Sequence, residues 1–251
     1  MVSPEKRKAQ IYFNQGTREL MYKDYTAALN HLTEANILDK DNTQILNNLG
    51  MTYYFKKRPE TAIKMIQRAI EVDSKNTEAR INIGTIYTNL GRYELAKKQY
   101  NIVLDDLTYD RQYKTYFNLG VLHLKLGKEI EAISYFQQAI NENENYCPAF
   151  LKLGDINFRK KNYEKSLNFY KKAGSGVCYD NPDPLYRQAL SLLKLKEYGS
   201  AKLKLEEVIE RFSLTKFERM AHKKLKDIDK KIYSSEPETN AQKGNILSPN
   251  F

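Results

Sequence analysis

The residue types that most often carry chemistry are few and scattered in this sequence. The three histidines, His31, His123 and His222, are far apart along the chain, and none has a serine, cysteine or carboxylate partner at a catalytic spacing. No glycine-rich loop of the phosphate-binding kind occurs. The sequence therefore predicts a chain that is not an enzyme, with no cofactor and no metal site.

The two cysteines, Cys147 and Cys178, have no histidine at metal-ligand spacing, and a zinc site would lack ligands. Two buried or half-buried thiols are the simplest interpretation. A disulfide would need an oxidising compartment and a close approach of the two backbones, and the sequence gives neither.

The net charge of +10 permits an acidic protein, an anionic lipid or a nucleic acid as partner. The densest basic runs, KKLKDIDKK near residue 230 and RKKNYEKS near residue 162, are interrupted by acids or aromatics. We interpret them as solvated helix faces and expect no nucleic-acid binding. No stretch approaches the roughly 20 apolar residues of a membrane span, and the first residues contain no apolar signal-peptide core.

The elements that would position a binding surface are indicated by an internal repeat of about 34 residues. One glycine recurs, at Gly16, Gly50, Gly84, Gly120 and Gly154. A small residue follows each, at Ala28, Ala62, Ala96, Ala132 and Ser166. A second small residue comes later, at Ala35, Ala69, Val103, Ala139 and Ala173. A large apolar residue stands between the two, at Leu32, Ile66, Tyr100, Phe136 and Tyr170.

This pattern resembles the tetratricopeptide repeat (TPR), in which two antiparallel helices, A and B, form each unit. The glycine and the first small residue let helix B approach helix A, and the large residue fills the remaining gap. A sixth, degenerate copy places Ala189 in the glycine slot and Ala201 in the first small slot. The segment AGSGVCYDNPDP before it breaks the regular phase and predicts a kink.

The resemblance implies an all-α fold: a right-handed superhelix of six helix-turn-helix repeats with a C-terminal capping helix. The predicted repeats are 9–42, 43–76, 77–112, 113–146, 147–181 and 182–215. A short N-terminal extension covers 1–8. The capping helix covers 216–233 and presents an apolar stripe of Phe217, Ala221, Leu225, Ile228 and Ile232. Residues 234–251 have no period and are predicted to be a disordered tail.

Positions on helix A that line the concave surface of TPR proteins are mostly apolar or aromatic here. They predict a partner-binding groove lined by Phe13, Leu20, Met21, Met51, Tyr54, Phe55, Ile81, Phe117, Val121, Leu124, Leu151, Phe158, Tyr186 and Leu190. An open apolar surface of this size predicts a protein partner that offers a hydrophobic or amphipathic segment, such as a helix.

Residues at other positions of the repeats refine that prediction. The first-repeat slots in which chaperone-binding TPR domains carry a clamp for a terminal carboxylate hold Phe13 and Thr17 here, so that function is not expected. His123 stands where sister repeats carry Tyr53 and Tyr87, so we expect it to pack in the core.

A second resemblance concerns the whole array. The six repeats, the insertion within LDDLTYDRQYKTYFNLG and the break AGSGV are similar to the type IV pilus pilotins (PilF, PilW and Tgl) over about residues 9–230. The resemblance implies an outer-membrane lipoprotein at the periplasmic face that binds the pilus secretin and promotes its assembly. The signal and the lipid-bearing cysteine would then precede Met1, and the membrane would be reached only through that anchor.

A cytosolic TPR adaptor remains the alternative. It would be cytoplasmic and would bind an unrelated peptide or protein, with the basic surface steering an acidic partner. A short apolar run ending in a small residue and a cysteine, encoded just upstream of Met1, would favour the pilotin.

Overall fold

The fold is all-α over the part of the chain that the structure, a computed structural model, describes, residues 3–235. Odd-numbered helices up to α11 are the A helices and even-numbered ones are the B helices. The helices are α1 (Pro4–Met21), α2 (Tyr25–Leu38), α3 (Thr43–Phe55), α4 (Pro59–Val72), α5 (Thr77–Asn89), α6 (Tyr93–Leu104), α7 (Gln112–Lys125), α8 (Glu129–Glu142), α9 (Cys147–Arg159), α10 (Tyr163–Ala173), α11 (Pro182–Lys194), α12 (Tyr198–Arg211) and α13 (Lys216–Ser235). A short 3-10 helix, Gly176–Cys178, lies between α10 and α11.

The helices form two compact units, which divide between residues 149 and 150, inside α9. In the first unit α1, α3, α5 and α7 each pack against the B helix of the same repeat, and the contacts α1–α3, α3–α5 and α5–α7 place these A helices side by side. In the second unit α11 packs against α10 and α12, and α13 packs against α12 and α11.

Side-chain caps fix where several A helices begin. The Ser3 hydroxyl accepts a hydrogen bond from the amide of Lys6 at the start of α1. Asn42 and Asn76 cap α3 and α5 in the same way, and Asn181 caps α11. Each cap satisfies backbone N–H groups that have no partner within the helix.

The recurring glycine is the point of closest approach between helices A and B. A Cβ atom added at Gly50 would lie 2.5 Å from Cγ1 of Ile66, and one added at Gly120 would lie 2.6 Å from Cε1 of Phe136. Gly84 stands in the same relation to Tyr100. These distances are shorter than any van der Waals contact, so the large B-helix residue occupies the space that a side chain would take.

The turn after each complete A helix carries one residue in the left-handed backbone region. Gly91 has φ +75° and Gly127 has φ +73°, whereas the other equivalent positions hold lysine, at Lys23, Lys57, Lys161 and Lys196. A left-handed residue ends a helix by directing the chain away from its axis. The six turns therefore share one conformation although only two of them use glycine.

Some boundaries differ from those expected. Because Ser3 caps α1, that helix begins at Pro4, inside the predicted 1–8 extension. The insertion forms the loop between α6 and α7, and the AGSGV break leads into the 3-10 helix. Helix α13 reaches Ser235, beyond the expected end at 233. The side chain of Ile232 and the predicted tail after 235 lie outside the described residues.

Candidate functional site

The predicted lining residues fall into three groups by exposure. Met21 is 77% exposed and Phe55 41% exposed. Ile81 and Tyr186 are each only 5% exposed, so both belong to the core and not to an open surface, contrary to expectation. The remaining ten are half-buried: Phe13, Leu20, Met51, Tyr54, Phe117, Val121, Leu124, Leu151, Phe158 and Leu190.

Half-burial gives many of these side chains two roles. Phe13 packs against Ala9, Ala35 and Ile45, and Met51 and Tyr54 pack against the core around Ile83 and Ile86. Each still leaves part of its apolar surface in contact with solvent. The apolar surface of the first unit is therefore continuous with its core, which holds these side chains in place.

An aromatic patch lies where α3 ends and α2 begins, and we define it as Tyr25, Tyr54 and Phe55. The rings of Tyr25 and Phe55 stack with centroids 5.0 Å apart, and Tyr54 lies 5.7 Å from Phe55. Asn89 of α5 donates a hydrogen bond to the Tyr54 hydroxyl at 2.9 Å. Tyr25 was not predicted from the sequence, although its place two residues after the left-handed Lys23, at the start of α2, pairs it with the end of the next A helix.

Polar side chains connect neighbouring A helices in the first unit. Asn48 donates from Nδ2 to the Thr17 hydroxyl at 2.9 Å, joining α3 to α1. Asn82 donates from Nδ2 to Oδ1 of Asn47 at 3.0 Å, joining α5 to α3. These bonds fix the register of one A helix against the next, and so fix the spacing of the apolar residues beside them.

Phe117 lies in an aromatic cluster of its own. Its ring centroid is 5.6 Å from that of Phe136 and 5.5 Å from that of Tyr146, and Tyr113 lies 4.8 Å from Tyr146. Burial raises the pKa of Tyr146 to about 12. Because Phe117 packs against the B helix of its own repeat, it contributes to the core as well as to the surface.

The second unit carries an ionic network that the sequence analysis did not find. Asp155 accepts a hydrogen bond from the Tyr170 hydroxyl at 2.8 Å and another from Nη1 of Arg187 at 2.6 Å. Arg187 also donates from Nε to Asp183 at 2.7 Å. Burial raises the pKa of Tyr170, and the Asp155 carboxylate raises it further. The i,i+4 spacing of Asp183 and Arg187 was the signal available in the sequence.

The lining residues of the second unit are covered to different degrees. Tyr186 lies under α13, with its ring 5.9 Å from that of Phe217, and this contact removes it from any open surface. Leu190 packs beside the same core. Phe158 stays half-buried, and its ring meets Tyr163 edge-on at 5.3 Å.

Neither cysteine is a free thiol. Cys147 and Cys178 are disulfide-bonded, which corrects the interpretation of two thiols. Across residues 3–235, no group of three or more His, Cys, Asp or Glu side chains could hold a metal ion. Within the same range, no helix has the length and apolar character needed to cross a bilayer.

His123 is a core residue, as the repeat pattern predicts. Its ring lies 4.9 Å from that of Tyr135, and neither ring nitrogen has a hydrogen-bond partner among the described residues. Burial lowers its pKa. Burial therefore favours the neutral imidazole over the imidazolium in the fold.

Family comparison supports the repeat assignment along most of the array. Profiles described as "Tetratricopeptide repeat" match residues 43–76, 77–104, 113–146, 148–173 and 185–215, which together make up more than half of the chain. The last of these confirms that the degenerate sixth copy is a TPR unit.

Similar proteins come from two biological settings. The chain is 27% identical over 210 residues to anaphase-promoting complex subunit 3 of Schizosaccharomyces pombe, covering 82% of this chain and 30% of that protein. It is 25% identical over 85 residues to the type IV pilus assembly protein PilF of Pseudomonas aeruginosa, covering 34% of each. The chain therefore matches only about a third of either relative.

Two solved structures share the fold over most of this chain. The structure of Pseudomonas aeruginosa PilF has a TM-score of 0.66 at 18% identity, covering 90% of this chain and 99% of that one. The structure of PilW, a widely conserved type IV pilus biogenesis factor, has a TM-score of 0.68 at 19% identity, covering 84% and 97%. With the family profiles, these likenesses confirm the all-α repeat fold. The chain belongs to the tetratricopeptide repeat family of protein-binding scaffolds.

Proposed function

We propose that this chain is a type IV pilus biogenesis pilotin. In this role it is a non-enzymatic scaffold at the periplasmic face of the outer membrane, binds an apolar segment of the pilus secretin and promotes secretin assembly. The observation that carries the proposal is the extent of the repeat array, which aligns with 99% of the solved PilF chain and 97% of the solved PilW chain. The sequence match to PilF over 85 residues supports the same assignment.

The oxidation state of the cysteines is consistent with this location. Disulfides form and persist in oxidising compartments such as the bacterial periplasm and are rare in the cytosol. Both cysteines of this chain are disulfide-bonded, which is consistent with a periplasmic protein.

The binding surface in this proposal is the apolar face of the A helices in the first unit. Met21 and Phe55 are its most exposed predicted members, and the aromatic patch adds rigid rings beside Phe55. Rigid aromatic side chains bury much area at little entropic cost, which suits an interface centre. An amphipathic helix from the partner could place its apolar residues on this face.

The decisive experiment is capture of the secretin from native outer-membrane extracts by the purified chain. The variant Met21→Asp with Phe55→Asp should lose capture, because it places two charges in the surface where apolar contact is needed. Both side chains are exposed, so the fold should survive, with unchanged helical circular dichroism. Phe117 and Phe158 are less informative positions because their rings also pack against Phe136 and Tyr163.

A matched control changes exposed apolar residues that are not on A helices. Leu107→Asp with Ile130→Asp alters the loop after α6 and the first turn of α8, and both side chains are more exposed than Phe55. This variant should capture secretin normally. Equal loss in both variants, or capture unaffected by Met21→Asp with Phe55→Asp, would place the binding surface elsewhere.

The alternative function, a cytosolic adaptor for another protein, has one observation in its favour. The match to anaphase-promoting complex subunit 3 extends over 82% of this chain, more than the sequence match to PilF. Recovery of one stable soluble partner at the same surface, with no secretin in the captured material, would support the adaptor over the pilotin.

A further inference from the structure

Five cationic side chains of α13 lie in one line on the helix surface. We call them the basic stripe; they are Lys216, Arg219, Lys223, Lys226 and Lys230, and all five are exposed. Their spacing alternates between three and four residues, so at 100° per residue they fall within an arc of about 80°. With a rise of 1.5 Å per residue the line is about 21 Å long.

The opposite face of α13 fixes which way the basic stripe points. Ala221 and Ile228 are buried in the core that α11 and α12 form, and Phe217 and Leu225 pack against that core. Because these apolar residues hold one side of the helix to the second unit, the basic stripe is directed into solvent. From the sequence, KKLKDIDKK was expected to be an ordinary solvated face; in the helix three of its lysines continue the line that Lys216 and Arg219 begin.

The charge of the basic stripe is not neutralised by the described side chains around it. Among the described side chains of α13, Lys224 pairs with Asp227 at 3.4 Å and His222 lies 3.9 Å from Glu218, and neither contact involves a stripe residue. Lys216 lies 5.0 Å from the centroid of the Phe217 ring, a contact that leaves its charge in place. Like charges three or four residues apart repel one another and destabilise a helix. Binding of an anionic partner would relieve this repulsion.

Apolar groups accompany the basic stripe at both ends. Leu214, just before α13, is 94% exposed and is held at φ 62°, a backbone region that a leucine rarely adopts. Towards the other end, a cavity of about 350 Å³ is lined by Leu193, Tyr198 and Ile228 together with the charged residues Lys224, Asp227 and Lys230. A line of cations beside exposed apolar groups is typical of surfaces that rest on a membrane.

We propose that the basic stripe docks this chain on an anionic phospholipid membrane. The cations contact the lipid phosphates, while Leu214 and the cavity lined by Leu193, Tyr198 and Ile228 meet the apolar part of the membrane interface. A nucleic acid would use the charges but not the apolar groups, and an acidic protein segment would leave the cavity unexplained. This contact is separate from the secretin-binding surface of the proposed function and from any lipid anchor.

The test is co-sedimentation of the full chain with vesicles. Phosphatidylcholine vesicles containing phosphatidylglycerol should bind the chain, pure phosphatidylcholine vesicles should not, and binding should fall as salt rises. The variant Lys223→Glu, Lys226→Glu, Lys230→Glu should lower the partition constant at least a hundredfold, since each lysine near an anionic surface contributes roughly a fivefold factor. Its helical circular dichroism should match that of the unaltered chain.

The matched control has the same net charge in a different place. Lys64→Glu, Lys97→Glu, Lys98→Glu alters three exposed lysines of α4 and α6 and should keep vesicle binding within about threefold, as expected for charges that are not part of the basic stripe. Equal loss in both variants would mean that net charge alone attracts the chain, and the proposal would fail. If the glutamate variant does not fold, the corresponding glutamine variant gives the same comparison.

Two further results would overturn the proposal. Binding to pure phosphatidylcholine as tight as to mixed vesicles would remove the role of the cations. Tighter binding to duplex DNA than to mixed vesicles at equal phosphate concentration would identify a general polyanion surface. Secretin capture by the stripe variant should remain normal, so failure of the proposed function and failure of this inference give different results.

Discussion

A single missing side chain allows helices A and B to meet in five of the six repeats. The Phe136 ring fills the space beside Gly120, with Cε1 2.6 Å from the place where a Cβ would stand. We expect Gly120→Ala to destabilise the chain by about 1–3 kcal/mol, because the ring must move within a packed core. Thermal unfolding followed by circular dichroism would measure the change.

The control for that substitution is another helical glycine. Gly199, near the start of α12, has no atom within 4 Å of an added Cβ. Gly199→Ala should therefore stabilise the chain by up to about 1 kcal/mol through helix propensity alone. Stabilisation by both alanines would show that the Gly120 slot has room, which contradicts the packing described.

His123 makes stability depend on pH. Burial lowers its pKa in the fold, so its neutral form is favoured there and the unfolded chain binds the proton more tightly. Its contribution is complete above the unfolded pKa of about 6.5 and is lost as pH falls from there through the lowered folded pKa. Between neutral and mildly acidic pH, the melting temperature of the His123→Phe variant should therefore fall less than that of the unaltered chain. Equal losses would show that other groups cause the acid sensitivity.

At the scale of the element, the turn between helices A and B always contains one left-handed residue, and that residue is either lysine or glycine. Lys57 holds φ 63° where the next two repeats use Gly91 and Gly127. A left-handed conformation costs an L-residue about 1–2 kcal/mol, and glycine avoids most of that cost. Lys57→Gly should raise stability by about 0.5–1 kcal/mol. The matched change Gly91→Ala should lower it, and a loss in both would mean that the lysine side chain contributes contacts of its own.

The helices and the face of each were predictable because their determinants are close in sequence. Gly120 and Phe136 belong to adjacent helices of one repeat, so the fixed number of residues between them in the sequence indicates their contact. The solvent exposure of a side chain was not predictable from its position in the repeat alone. Ile81 and Phe117 occupy equivalent positions, yet only Ile81 is buried. Tyr186 was placed on an open surface because the repeat pattern says nothing about a capping helix that covers it.

Contacts between repeats were the other part that the sequence did not reveal. The bond from Arg187 to Asp155 joins side chains of different repeats, and so does the stacking of Tyr25 on Phe55. Such contacts depend on side-chain directions across a helix–helix interface, which periodicity does not specify. The basic stripe is the opposite case, since its spacing was present in the sequence and only the buried face of α13 was needed to orient it.

At the scale of the whole molecule, a repeat array is stabilised by contacts within repeats and between neighbours. The first unit contains complete cores of its own, including the one around Ala62, Ile83 and Leu119. The aromatic cluster of Tyr113, Phe117, Phe136 and Tyr146 also lies entirely within it. A fragment of residues 1–146 therefore keeps four repeats and their packing, and exceeds the three or so repeats that such arrays need.

We expect this fragment to fold by itself, with helical circular dichroism in proportion to its length and one cooperative thermal transition. It should melt below the full chain, because its last repeat loses the neighbour that follows it. Introducing Gly50→Ala should lower its melting temperature as in the full chain, since Gly50 and Ile66 are both retained. A fragment that is unfolded, or that melts without cooperativity, would mean that the four repeats depend on the remaining chain for their structure.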